Sequence, residues 1–158
     1  MNTDIKRRVF LKGSLAAGTV GVAVTAGLLT PQAVMAAWPK AAFEAKSIED
    51  ALGAAMGGKQ TTASDDIKIK APDIAENGAV VPVTISTGMA DVESIALLSA
   101  GNDSPMVAQF VLGAGGVPDV STRIKMAKTG DVVAVVKSGG KLFANRKSVK
   151  VTIGGCGG

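Results

Sequence analysis

Residues 67–85 read Ile67-Lys68-Ile69-Lys70-Ala71-Pro72-Asp73-Ile74-Ala75-Glu76-Asn77-Gly78-Ala79-Val80-Val81-Pro82-Val83-Thr84-Ile85. Apolar and polar residues alternate at both ends of this stretch, and alternation with a period of two sends successive side chains to opposite faces of a strand. Ile67 and Ile69 therefore share one face of a first strand, and Val81, Val83 and Ile85 one face of a second. Asn77-Gly78 between them is a turn signal. Further strands are read downstream over 92–99, 106–112 and 120–127, in the last of which Ile124 and Met126 alternate with Arg123 and Lys125, and then over 131–137, 141–144 and 147–153. Gly101-Asn102-Asp103, 113–118, Thr129-Gly130 and Ser138-Gly139-Gly140 punctuate these runs. Seven or eight short strands at intervals of about ten residues predict an all-β fold, an immunoglobulin-like antiparallel β-sandwich over 67–153. Pro82 lacks the N–H that a central ladder needs, which places its strand at an edge or a bulge. Exposed edges in turn invite a partner strand.

Upstream, Phe43, Ile48, Leu52, Ala55 and Met56 recur at near-helical spacing beside Glu44, Lys46, Glu49 and Asp50, and Gly57-Gly58 follows. This predicts one short amphipathic helix with a glycine stop, whose apolar face covers the core, then a polar linker to Asp66. Residues 37–66 thus form an N-terminal helix and linker. Residues 1–36 have the organisation of an export signal: basic Lys6, Arg7 and Arg8, an uncharged apolar run over 13–29, and a small-residue exit at Val34-Met35-Ala36. The run Lys6-Arg7-Arg8-Val9-Phe10-Leu11-Lys12 has the pattern of a twin-arginine signal, cleaved after Ala36 or Ala37, and leaves no membrane anchor on the mature chain. It implies folded export to a periplasm, where ATP is absent.

The 158-residue chain has a formal charge of +4, but the leader holds four basic residues and one acidic one, so the remainder carries 13 basic and 12 acidic residues. A nearly neutral body without a basic stripe and with few aromatics argues against a nucleic-acid partner. The sequence contains no His and one Cys. Triads that use imidazole, His-ligated metals, internal disulfides and multi-thiolate metal sites are all excluded. Asp65, Asp66 and Asp91 are scattered among turns, so no catalytic residue, metal site or cofactor is expected, and the chain is read as a non-enzyme.

The single thiol, Cys156, sits in Gly154-Gly155-Cys156-Gly157-Gly158, directly after the strand Val149-Lys150-Val151-Thr152-Ile153. A structural cysteine is buried among apolar neighbours. Here four glycines surround it, predicting a flexible arm at 154–158 that enters slots closed to any residue with a Cβ. From Ile153 to Cys156 is about 10 Å of extended chain, enough to reach into another protein's cleft. The tail holds no His or helix N-terminus to favour the thiolate, so activation falls to a partner. Arg146, Lys147 and Lys150 are read as solvated strand charges with a subsidiary attraction for anionic cargo, and Glu76 and Asn77 as a tight turn or a docking surface.

Together the terminal motif with its preceding strand, the segment 71–83, the run Thr122-Arg123-Ile124-Lys125-Met126 and the leader resemble the SoxY family. These are sulfur-carrier subunits of the periplasmic Sox thiosulfate-oxidising system. The resemblance covers nearly the whole mature chain. It implies an immunoglobulin-like fold, a heterodimer with SoxZ, and sulfur intermediates, including a cysteine persulfide, held covalently on Cys156. It further implies transient contacts with the haem enzyme SoxXA, which attaches thiosulfate, the hydrolase SoxB, which removes sulfate, and the sulfane dehydrogenase SoxCD. Having one thiol suits such a carrier, because a second could discharge the adduct by exchange.

Two rival readings use the same tail. A ubiquitin-like carrier would act through a thiocarboxylate at the terminal Gly157-Gly158. Export to a compartment without ATP argues against the adenylation this requires, and the strand count is high for that fold. A structural sandwich dimerising through Cys156 explains the thiol but not its four glycines.

Overall fold

A computed structural model describes residues 39–153. The twin-arginine pattern with Arg7 and Arg8, and the arm Gly154, Gly155, Cys156, Gly157 and Gly158, lie outside the described residues. Among the described residues two short helices, α1 (Lys40–Glu44) and α2 (Ile48–Met56), precede nine strands. The strands are β1 (Thr62–Ala63), β2 (Ile67–Lys70), β3 (Ile74–Ala75), β4 (Val81–Thr87) and β5 (Val92–Ser99), then β6 (Met106–Val111), β7 (Asp119–Ile124), β8 (Gly130–Ser138) and β9 (Lys141–Val151).

The period-two stretches fold as read. In β4, Val81, Val83 and Ile85 are buried while Pro82 is exposed. This strand forms a three-stranded antiparallel sheet in the order β2-β4-β7. The facing sheet runs β1-β9-β8-β5-β6, with β3 on the same outer side of β9 as β1. Between them Ile67, Val83, Ile85, Ile95, Leu97, Val132, Val136 and Val149 build the sandwich core. The six-stranded sheet is buried on its other face too. Ala96, Leu98, Val133 and Val135 pack there with Ala42, Ala51, Leu52 and Met56 of the helices. Burial on both faces explains why Ile95-Ala96-Leu97-Leu98 and 132–136 are unbroken apolar runs instead of alternating ones.

Several details depart from the sequence reading. The helical segment breaks in two at Ala45-Lys46-Ser47, because Ser47 is extended and its hydroxyl accepts the Asp50 N–H at 3.1 Å, an N-cap that starts α2 afresh. Gly57 ends α2 in the left-handed conformation at φ 75°, as expected of a glycine stop. Lys59 donates to Asp50 at 2.6 Å, and this bond, more than the one from Ser47, holds the Asp50 carboxyl below its ordinary range.

The strand of Pro82 is neither an edge nor a bulge but the centre of its sheet. Proline is tolerated there because β2 ends with Lys70 opposite Thr84, so at Pro82 only β7 runs alongside. The two runs 141–144 and 147–153 join in one strand that ends at Val151, two residues short of the expected end, and is continuous through Asn145 and Arg146, which pair with Ala134 and Val133 of β8. Asn145 also donates to Ile67 O at 2.8 Å, tying the two sheets together. Two pairings are parallel, β1 with Phe143–Ala144 and β3 with Lys150–Val151. The chain touches the outer side of β9 twice on its way through the linker and the 71–83 segment.

Candidate functional site

β9 leads directly to the C-terminal motif, and the groups that fix its last described residues define the root of the arm. On one side stands β3, with Ile74 opposite Lys150 and Ala75 opposite Val151. Lys150 N–H donates to Asp73 O at 2.9 Å and Thr152 N–H to Ala75 O at 3.1 Å. The Thr152 hydroxyl lies 3.2 Å from Glu76 O. On the other side β8 starts only at Gly130, opposite Val149, and a side chain extends its ladder. The Thr129 hydroxyl accepts the Val151 N–H at 2.9 Å and donates to Val151 O at 3.3 Å. A hydroxyl thereby does at Val151 what a further residue of β8 would do.

The turn at Glu76-Asn77-Gly78 closes the root. Asn77 Oδ1 accepts the Ala79 N–H at 2.9 Å, a side chain standing in for one turn of backbone. Gly78 donates to Ile153 O at 2.8 Å and accepts from Met126 N–H at 2.7 Å. The segments 71–83, 122–126 and 149–153, separate in sequence, therefore meet around Ile153, the last described residue before the motif. Three exposed apolar side chains, Ile74, Val80 and Ile153, belong to these segments.

The charges read as lying before the arm divide into two kinds. Lys147 is tethered to Asp73 at 3.0 Å, a surface pair of small energetic weight. Arg146 and Lys150 are exposed and fall on the same alternation of β9 as Leu142 and Ala144, which the helices cover. Glu76 and Asn77 are exposed, and Asn77 serves the turn. Sequence reasoning missed Thr129, Thr152 and Gly78. The signals were the turn dipeptides Asn77-Gly78 and Thr129-Gly130, which mark chain reversals without revealing their partners, Ile153 and Met126 for Gly78 and, 22 residues away, Val151 for Thr129.

Among the described residues no group of three or more Asp, Glu, His or Cys is placed to hold a metal ion, and no helix is long and apolar enough to cross a membrane. Asp65 and Asp66 stand before β2 and Asp91 before β5, where Asp91 takes a positive φ of 51°. Short polar side chains accept that conformation in turns.

Architecture and root together define a class: an immunoglobulin-like sandwich, covered by helices on one face, whose last strand ends in a bonded root directly before the C-terminal motif. The family model for the sulfur oxidation protein SoxY matches residues 52–156, which takes in the core, the root and the motif cysteine, and the chain belongs to the SoxY family. The solved structure of the sulfur carrier protein SoxY from Chlorobium limicola f thiosulfatophilum is similar at 47% identity and a TM-score of 0.60, covering 66% of this chain and 94% of that one. A superoxide reductase (neelaredoxin) from Ignicoccus hospitalis aligns at 24% identity and a TM-score of 0.49, over 64% of this chain and 86% of that one, too weakly to bear on function. No curated protein matches the chain.

Proposed function

We propose that this chain is a covalent carrier without catalytic groups of its own, exported folded to the periplasm through the Arg7-Arg8 signal, and that Cys156 holds the sulfur being processed. The observation that carries the reading is that the SoxY match runs through residue 156, so it includes the one thiol of the sequence in its glycine setting. The bonded root supports it as well, because an arm of about 10 Å presents its thiol usefully only from a fixed point.

In the loading step a new S–S bond joins the Cys156 sulfur to the outer sulfur of thiosulfate. The thiol gives up its proton and two electrons pass to the haem enzyme SoxXA, leaving a thiosulfonate on the cysteine. SoxB then adds one water across the bond between sulfur and sulfonate, which releases sulfate and two protons and leaves a persulfide. SoxCD, where present, oxidises that remaining sulfur, with the added oxygens coming from water and the electrons passing to SoxCD. In each step the chain supplies the sulfur atom and its placement, the partner supplies base and oxidant, and SoxZ accompanies the carrier as its heterodimer partner. Glycines at 154, 155, 157 and 158 let narrow active sites close over the thiol.

Replacing Cys156 by Ser, or deleting residues 154–158, is expected to abolish thiosulfate-dependent electron transfer in the reconstituted system. The circular dichroism spectrum and the Tm should stay unchanged, since the sandwich core lies within 67–149. Unimpaired turnover by either variant would overturn the proposal.

A further inference from the structure

The loop that follows β7 holds the end of β9 by two routes. Its Thr129 hydroxyl bonds to the N–H and the carbonyl of Val151. Its Met126 N–H donates to Gly78 O at 2.7 Å, and Gly78 N–H in turn donates to Ile153 O at 2.8 Å. A displacement of residues 125–129 therefore reaches Val151 directly and Ile153 through Gly78. Whatever fixes this loop also fixes the root.

β7 ends at Ile124, so residues 125–127 lie beyond its ladder. Asn102, half-buried in the turn between β5 and β6, takes the place of a strand there. Its Nδ2 donates to Lys125 O at 2.8 Å and its Oδ1 accepts the Ala127 N–H at 2.8 Å. The side chain thus grips the backbone on either side of Met126, whose own N–H goes to Gly78. A side-chain amide carries a donor and an acceptor on one planar group, as a carbonyl and an N–H two residues apart require. Aspartate, of the same shape, offers acceptors alone when ionised.

The turn that carries Asn102 is itself seated on the loop. Ala100 N–H donates to Asp131 O at 2.9 Å. A Cβ on Gly101 would stand 2.7 Å from Lys128 O, so the two backbones approach as closely as only glycine allows. Asn102 is therefore held at a fixed distance from the atoms it bonds.

From these contacts we propose that Asn102 is a positioning residue for the C-terminal thiol. Acting through the 125–129 loop, it secures both Val151 and Ile153, so that one side chain in a distant turn sets the end of β9. Its bearing on Cys156 rests on the carrier role proposed above, whereas its hold on β9 stands apart from that role.

Native-state amide hydrogen exchange, read at Val151 and at Gly78, tests this. Asn102→Ala removes both bonds, and Asn102→Asp keeps the acceptor for Ala127 while setting an oxygen against Lys125 O. Both variants are expected to speed exchange at Val151 and at Gly78 by roughly threefold or more, with Val133 in the middle of β8 at its wild-type rate. Thr129→Val, which cuts only one route, is expected to speed Val151 and leave Gly78 unchanged. Once Thr129→Val is present, adding Asn102→Ala is expected to speed Val151 by a smaller factor than it does in the wild-type chain, because residues acting through one another are not additive. Unchanged exchange at either amide in both folded Asn102 variants would overturn the proposal. So would factors at Val151 that simply multiply in the double variant, or equal acceleration at Val133, the mark of a general weakening. Exchange reads the amides alone, so a wild-type chain that thiosulfate never loads would refute the carrier role and leave the hold of Asn102 on β9 standing.

Discussion

Replacing Thr129 by Val removes the hydroxyl that stands in for β8 at the root of the arm and keeps the shape of the side chain. Two bonds are lost, from Val151 N–H at 2.9 Å and to Val151 O at 3.3 Å. A net intramolecular hydrogen bond is worth about 0.5–1.5 kcal/mol, and the longer of these belongs at the low end, so the local cost is about 1.5 kcal/mol. Since about 1.4 kcal/mol is tenfold in an equilibrium, the population in which the end of β9 is open should rise roughly tenfold. Native-state amide hydrogen exchange reads that population residue by residue. The Val151 amide should exchange roughly tenfold faster in Thr129→Val, while Val133, in the middle of β8, keeps its wild-type rate. Unchanged exchange at Val151 would refute the anchoring role of the hydroxyl. Equal acceleration at Val133 would show that the substitution weakens the whole sheet, which would also refute it.

Three further outcomes follow from particular contacts. A Cβ on Gly130 would stand 2.9 Å from the Gly101 N and 3.1 Å from its Cα, both backbone atoms, so Gly130→Ala should cost about 1–3 kcal/mol and lower the urea midpoint. Ser99 is buried and its hydroxyl finds no hydrogen-bond partner, so Ser99→Ala should raise stability by about 1 kcal/mol and the Tm by a few degrees. The Glu93 carboxyl is held below its ordinary value, first by the Gly140 N–H at 2.8 Å and then by Lys137 at 3.3 Å. A depressed carboxylate adds stability above its unfolded value, near 4.5, and loses it as pH falls through the folded value. Glu93→Gln should therefore lower the Tm at neutral pH, with the difference from wild type vanishing in acid.

The strands of the sandwich were legible because their signal is local. Val81, Val83 and Ile85 declare one face within five residues, and the alternation in β2 does the same. The break between α1 and α2 was hidden by a helical apolar spacing that spans it, although the Ser47 cap that causes it is also a local feature. β1 and β3 were not legible, since two residues establish no period, and each exists only because β9 offers its outer side. Pro82 misled for a similar reason. Its effect depends on where β2 ends, which is a fact about another segment.

The candidate site divides along the same line. Cys156 and its glycines could be read from composition and spacing alone, because a lone thiol among four glycines is a chemical statement needing no fold. The exit could not, because Thr129, Thr152 and Gly78 act on backbone atoms brought close only by the completed sandwich. The fold adds to the sequence reading a definite point from which the arm starts. It also removes the structural ground for a ubiquitin-like carrier, since the described residues form a two-sheet sandwich.

Peptide-level mass spectrometry after incubation of the protein with thiosulfate and the haem enzyme proposed to load it reads the state of Cys156 itself. A thiosulfonate adduct is expected on the peptide containing Cys156, released by a thiol reductant and absent when the haem enzyme is omitted. A Cys156 peptide recovered only as free thiol or as a disulfide dimer, or a thiocarboxylate on Gly158, would overturn the proposed carrier role.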